Sequence, residues 1–556
     1  MSGPAPRDWE TLRAELEEKG YLAPSQGSFL LRFSLRTLTP GGPLLRLGLL
    51  SALLAAGLLS LLLTALASLL YRTPLPAVFL YYLPLLFLLA FAAFTLLRGA
   101  FRLHPFRTPT RSAFVFSAVL AAAAGRFLFQ PFVPYFPDRA RPLLLLAAYA
   151  VPFIALYPPL KALAVLSWRT PGFAAARRRG RWFVVLMAAG ALAGTGWMMA
   201  GRAQTAMDQR LALPPLDAPL AVLAVDGLQP DFGIPGGPAL QAFMRESLIV
   251  PVEVPRGMSP AVFWTMVSTG WPPEENGVLS LKAYRLPMIH RALYPLPMAW
   301  VFSELGLARE TVASTAERRK PAFWELAAWA GRTSASVNWW TAWPPKNASA
   351  AVVANLALLK AVKGDAGTEC QPPELCSPPF TAEGSTEGSR WDAFVLEAMD
   401  RAGGGRDLVT AYFPGLDVLL YRTAPMALGE GVDLGRGLGE SLGTLDRALE
   451  RLMKSDRRII LIGYSGRQGF PWAYAAFWPS TEHGNAGRSA RALDLFPTLL
   501  AALRMPVPEN VQGKPLYLPW LPREISTIPA YPDLKSPAGT SVRPPVEELR
   551  SLGYLQ

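Results

Sequence analysis

The chain has 556 residues, of which 51% are hydrophobic, with 54 Lys and Arg against 41 Asp and Glu and a formal net charge of +13. That length predicts more than one structural unit, and the hydrophobic share is too high for a wholly soluble protein. The positive charge does not point to nucleic acid, because the arginines cluster between apolar runs and no basic patch is interleaved with aromatic residues.

The hydrophobicity is local. Before Pro215 the chain is dominated by Leu, Ala and Phe; beyond it the composition is ordinary. Residues 1–42 read as a cytoplasmic segment, with a short amphipathic helix over Asp8–Gly20. Residues 43–201 then read as a membrane domain of five helices, since about 20 apolar residues cross a bilayer core. The runs are Leu44–Leu70, Leu75–Leu97, Ala113–Phe136, Pro142 to about Leu160, and Trp182–Gly201. The third, interrupted by Arg126, is the weakest of the five. Arg32, Arg36 and Arg46 precede the first run. Arg98, Arg102, Arg107 and Arg111 follow the second, and Arg177, Arg178, Arg179 and Arg181 precede the fifth. The intervening loops carry fewer, so the pattern obeys the positive-inside rule with the N-terminus cytoplasmic and everything after Gly201 outside. Arg126 and Lys161 are the charges that would mark a lipid-handling pathway through the helices, and each is also placed to snorkel to an interface.

After a linker over 202–216, residues 217–556 read as an α/β domain. Ala218–Val225 is a continuous apolar run that ends in Asp226-Gly227, the pattern of a buried parallel strand delivering a carboxylate at its C-terminal end. Leu408–Phe413 leads to Asp417, Arg458–Ile462 leads to Gly463-Tyr464-Ser465-Gly466, and Ala473–Trp478 follows. Helical patterns over Phe323–Ala330 and Gly439–Lys454 alternate with these runs, which predicts a mostly parallel sheet with helices on both faces. Gly364–Gly388 reads as an inserted loop. It holds the two cysteines, Cys370 and Cys376, and a local disulfide between them suits an oxidising compartment.

Four stretches then carry a family resemblance: Leu223-Ala-Val-Asp226-Gly-Leu-Gln-Pro-Asp231; Ser259 to Gly270 followed by Pro272 to Gly277; Phe323-Trp324 with Val337 to Pro344; and Ala492 to Leu500 with Met505 and Gly513 to Leu516. The ending over Glu548–Leu555 adds to them. In this order they resemble the alkaline phosphatase superfamily, in particular its type I phosphodiesterase/nucleotide pyrophosphatase branch, which implies an alkaline-phosphatase-like fold. Five spans before such a domain also resemble the layout of lipid A phosphoethanolamine transferases and lipoteichoic acid synthases.

The resemblance implies two zinc ions and a Ser or Thr nucleophile between them. Two metals would polarise the phosphoryl oxygens and activate the hydroxyl. Asp226 matches the first metal-binding Asp, and Asp231 an acid of structural role. Asp417 matches the Asp of an Asp-x-x-x-His motif, whose His position holds Tyr421. The adjacent Asp-His pair expected after Arg458–Ile462 is replaced by Tyr464 and Ser465, and no His lies over Arg467–Pro471. Pro260 stands where the family hydroxyl falls; Ser259 precedes it, and Thr265 is a nearby alternative. Ser259 ahead of Pro260 is also a good helix N-cap. The chain has three histidines, His104 in the membrane half and His290 and His483 beyond it, so the shortage falls on the metal positions.

The expectation is a membrane-anchored member of this superfamily that has lost its dimetal chemistry. It would bind no cofactor, with Asp226 and Asp417 as remnants of the metal site and Tyr421 and Tyr464 filling its space. Its partners would be the bilayer and an envelope lipid, glycan or protein. Two alternatives stand beside it: an active metal-dependent phosphodiesterase or phosphoryl transferase using Ser259 or Thr265, and a lipid-handling membrane protein with an accessory exterior domain. Trp339, Trp340 and Trp343 are either a cleft wall or core.

Overall fold

In a computed structural model of the protein, the leading apolar runs fold as four long helices: α1 (Pro43–Tyr71), α2 (Pro76–Leu103), α3 (Pro109–Ala124) and α4 (Arg141–Trp168). The structure describes residues 43–71, 75–103, 109–136, 140–168, 211, 213–229, 237–255, 258–289, 292–347, 349–365, 368–422, 434–466, 472–481, 484–485, 489–532, 534, 546–551 and 554. The expected fifth span, the helix over Asp8–Gly20, Asp231, and all three histidines lie outside the described residues.

Four stretches are long and apolar enough to cross a membrane: Ser51–Tyr71, Pro76–Leu96, Ala113–Val133 and Arg141–Pro158. The third, expected to be the weakest, is among them. It is irregular for a local reason. Beyond α3 the chain passes through a π turn at Gly125–Phe129 and a 3-10 turn at Gln130–Tyr135, where Pro131 has no N–H to continue the ladder. Gly125 also lets Tyr149 of α4 approach, because a Cβ there would lie 2.5 Å from its ring. Arg126 finds an acceptor one turn on, at Gln130 Oε1, and the Lys161 ammonium lies over the Tyr157 ring.

The second unit is built on a ten-stranded sheet. Its strands are β1 (Leu220–Asp226), β2 (Leu248–Glu253), β5 (Ser334–Val337), β6 (Ala351–Val353), β7 (Cys370–Gln371), β8 (Leu408–Phe413), β9 (Arg458–Tyr464), β10 (Ala473–Trp478), β11 (Gly484–Asn485) and β12 (Ala490–Arg491). A separate ribbon pairs β3 (Lys282–Arg285) with β4 (Arg309–Val312). The order is β11-β2-β10-β9-β1-β8-β5-β6-β7, with β12 also on β2. From β9 to β6 neighbours run parallel. Antiparallel pairing enters at β10 and at β7, so the apolar run Ala473–Trp478 is a strand but reverses direction. Every residue of β1 is buried, as a strand covered on both faces requires.

The helices between these strands are α5 (Pro238–Arg245), α6 (Pro260–Thr269), α7 (Pro273–Asn276), α8 (Ala299–Glu304), α9 (Phe323–Trp329), α10 (Asn355–Val362), α11 (Glu387–Gly403), α12 (Gly415–Arg422), α13 (Leu434–Lys454), α14 (Ala492–Ala502) and α15 (Val546–Ser551). One of them departs from chain order. Pro287–Ile289 and Pro295–Leu305, which include α8, group with the four long helices rather than with the sheet. In the sheet unit, Trp339 and Trp340 are fully buried and belong to the core, while Trp343 packs against its edge. The Cys370–Cys376 disulfide is formed, with a Cα–Cα distance of 5.8 Å.

Candidate functional site

Asp226 is the last residue of the central strand β1, with β8 on one side and β9 on the other. In open parallel sheets, ligand sites form at these strand ends. The carboxylate is fully buried, and both oxygens accept hydrogen bonds from aromatic side chains. Trp264 Nε1 of α6 donates to Oδ1 at 2.7 Å, and the Tyr412 hydroxyl of β8 donates to Oδ2 at 2.6 Å. Tyr412 stands in register with Ala224, two residues before Asp226 and on the same face, which aims its ring along the sheet toward the carboxylate. Burial first, then the Asp226 charge, holds the Tyr412 hydroxyl far above its ordinary range, so it is a neutral donor.

Tyr464 closes the other side. It ends β9 directly opposite Asp226. Its ring stacks on Phe263 of α6, with centroids 4.1 Å apart and planes 12° apart, and meets Trp264 edge-on. Its hydroxyl donates to the Met258 carbonyl at 2.5 Å, and burial is the main cause that raises its pKa. Ser465 is buried beside it and pairs with Trp472 through its amide and hydroxyl.

Asp417 is fully buried in the first turn of α12. Two glycines with positive φ permit its position. Gly227 (φ 83°) backs onto the Asp417 amide, where a Cβ would come within 2.9 Å, and Gly466 (φ 64°) faces its carboxylate, where a Cβ would come within 2.2 Å. Asp226, Asp417, Tyr464 and Ser465 lie together at the ends of β1 and β9 and the start of α12. Tyr421 lies at the other end of α12 and is only half-buried.

The two hydroxyls differ. Thr265 lies inside α6, donates back to the Ala261 carbonyl at 2.7 Å and meets the Thr341 hydroxyl at 3.1 Å. Ser259 is the N-cap residue of α6, yet its side chain makes no capping bond. Its Oγ is buried without a hydrogen-bond partner among the described residues. Tyr412 and Phe263 were missed in the sequence. The signal for Tyr412 was its place near the end of an apolar run, readable only once β8 is known to neighbour β1. Among the described residues, no group of three or more His, Cys, Asp and Glu side chains is placed to hold a metal.

A second feature is a polar groove of about 900 Å³ between the start of α11 and α13. Arg390, Arg436 and Arg447 line it with Ser385, Thr444 and Glu440. Glu440 accepts from the Ser385 amide and hydroxyl and from Arg436. Those bonds outweigh burial, which acts the other way, and hold its pKa down at about 2.

No protein-family model and no curated protein matches this chain. Solved structures do. Murine ectonucleotide pyrophosphatase/phosphodiesterase 5, in an inactive form in complex with AMP, is 12% identical over 53% of this chain and 98% of its own, with a TM-score of 0.34. Phosphonoacetate hydrolase from Sinorhizobium meliloti is 17% identical over 45% of this chain and 57% of its own, with a TM-score of 0.30. A protein in the alkaline phosphatase superfamily from Vibrio parahaemolyticus is 14% identical over 55% of this chain and 71% of its own, with a TM-score of 0.33. These are partial likenesses, at identities of 12–17% and TM-scores of 0.30–0.34.

Proposed function

We propose that this chain is a membrane-anchored protein whose α/β unit has an alkaline-phosphatase-like site converted from metal chemistry to aromatic packing, and that it works by binding a ligand or scaffolding an envelope complex. The carrying observation is Asp226: both carboxylate oxygens are taken by buried, uncharged donors, Trp264 and Tyr412. A two-zinc site needs several N and O ligands for each metal. Here the neighbouring positions supply Tyr464, a neutral phenol turned to a backbone carbonyl, and Ser465. That donor set does not fit two zinc ions. The arginine-lined groove supports an anionic ligand, such as a charged lipid headgroup or glycan. The arginine pattern between the apolar runs supports a cytoplasmic N-terminus and an α/β unit on the outer side of the cell membrane.

The test is zinc analysis of the purified full-length protein together with hydrolysis of a model phosphodiester. The expected result is sub-stoichiometric zinc and no turnover that depends on Asp226. Near-stoichiometric zinc, with turnover abolished by Asp226→Ala, refutes the proposal. One observation favours a second reading, an active phosphoryl hydrolase or transferase: Ser259 presents an unpartnered hydroxyl at the N-terminus of α6, where a nucleophile is activated in many enzymes. Loss of turnover in Ser259→Ala, with folding intact, would establish it.

A further inference from the structure

We infer that the stretches Pro287–Ile289 and Pro295–Leu305, although they follow the first strands of the α/β unit in the chain, form an interfacial anchor that rests its exposed apolar side chains in the outer boundary of the bilayer. The inference rests on the reading of α1–α4 as membrane spans.

The depth of the segment is fixed by α2. Its spanning stretch, Pro76–Leu96, has 21 residues and is about 31 Å long, close to the thickness of a hydrocarbon core. Tyr81 and Tyr82 lie five and six residues inside it, about 8 Å along the axis. Side chains on a helix lean toward its N-terminus, which returns both phenol oxygens to the level of the boundary. There they hold the segment: the Tyr81 hydroxyl donates to the Pro287 carbonyl at 2.8 Å, and the Tyr82 hydroxyl donates to the Pro297 carbonyl at 2.6 Å. Phe302 of α8 is buried edge-on against both tyrosine rings. Tyrosine at this level has an apolar body and a polar tip, the chemistry of an aromatic belt.

Ile289, Leu293 and Leu296 are buried, whereas three large apolar side chains of the segment face outward. Met288 is 76% exposed, Trp300 70% and Leu305 63%, among the largest exposures of any apolar side chain described. In water these exposures would be unexplained: Trp300 is on the six-residue α8, Leu305 just beyond its end, and Met288 in the turn that Tyr81 holds. At the bilayer boundary such side chains meet lipid, as does Leu80 of α2, the neighbour of Tyr81, which is 60% exposed. Exposed Trp, Met and Leu side chains at this level fit a monotopic contact. The occupant is therefore lipid rather than a second protein.

The test uses the full-length protein in lipid nanodiscs of phosphatidylethanolamine and phosphatidylglycerol. Its two native cysteines are bonded to each other, so an engineered cysteine can be labelled alone. A nitroxide is placed at Met288→Cys and, separately, at Trp300→Cys, with Leu88→Cys as the lipid reference and Tyr517→Cys, on the exposed surface of the α/β unit, as the water reference. The ratio of collisions with oxygen to collisions with a water-soluble nickel chelate reports depth. At Met288 and Trp300 the ratio should exceed that at Tyr517 by at least about threefold. A ratio equal to that at Tyr517, with the Leu88 label in lipid, overturns the inference and leaves the spanning reading standing. Shielding from both quenchers with dipolar broadening would assign the surface to a second copy and also overturn it. A water-like ratio at Leu88 would remove the spanning reading and the inference together.

Discussion

Replacing Tyr412 by Phe tests the central claim about Asp226 with a single oxygen atom. The ring should remain in place, because it packs against Trp264 and Trp340 at centroid distances of 5.9 Å each, so no cavity forms. What is lost is the donor 2.6 Å from Asp226 Oδ2, in a site without solvent to replace it. A hydrogen bond to a charged group contributes about 1.5–3 kcal/mol, and the buried acceptor left behind keeps the loss near the upper part of that range. For a unit of roughly 340 residues, unfolding entropy of about 2.1 cal/mol/K per residue converts a loss of about 2.5 kcal/mol into a fall of about 3 °C in Tm. Asp226→Asn keeps the shape but removes the charge that makes this bond strong. The double variant should therefore lose at least about 1 kcal/mol less than the two single losses added together. Thermal unfolding of the full chain in detergent, followed by near-ultraviolet circular dichroism of the aromatic cluster, measures all three. If Tyr412→Phe changes stability by less than about 0.5 kcal/mol, or the two losses simply add, then Asp226 is not held as a charged acceptor of this bond and the argument fails.

Other consequences follow from the same packing. Burial raises the Asp392 pKa from its ordinary value to about 7. The folded state then keeps a proton that an unfolded Asp releases near pH 4, so stability should fall as pH rises from about 4 to about 7, by at most about 4 kcal/mol, and Asp392→Asn should flatten that profile in urea titrations. Arg318 and Glu325 form an ion pair at 2.6 Å with neither side chain exposed. Glu325→Gln leaves a buried guanidinium uncompensated and should cost about 3–5 kcal/mol by chemical unfolding. Gly466→Ala adds a Cβ 2.2 Å from the Asp417 carboxylate at a φ of 64°, and should lower stability by about 1–3 kcal/mol. Replacing Cys370 and Cys376 by Ser opens a small loop and should cost about 2 kcal/mol by loop entropy, read as a lower midpoint in the same titration.

The parts of this fold that were legible share one property: they are long relative to the period of their pattern. The seven-residue run of β1 and the six- or seven-residue runs of β8, β9 and β10 stand out as uninterrupted apolar stretches because both of their faces are covered. The direction of β10 was not legible, since a strand buried on both faces has the same composition whichever way it runs. The four-residue β5 and three-residue β6 carry too few positions to show any period. The segment Pro287–Leu305 was invisible for another reason. Its apolar residues are broken by Pro287, Pro295 and Pro297 and follow neither helix nor strand spacing, so only the tyrosines of α2 give it a place.

At the site, the sequence gives positions without partners. Asp226, Asp417, Tyr464 and Ser465 could be placed because each follows a readable strand. What Asp226 bonds to could not, because its two donors come 38 and 186 residues later in the chain, on a helix and a strand whose neighbours are set by topology alone. A buried carboxylate must be satisfied, at a cost of about 1–3 kcal/mol if it is not. Trp264 supplies an indole N–H and Tyr412 a phenol O–H, while the Tyr464 ring occupies the adjoining volume against Phe263. The carboxylate organises the aromatic cluster, and the cluster in turn neutralises the cost of burying the carboxylate, so that neither is expected to survive the loss of the other.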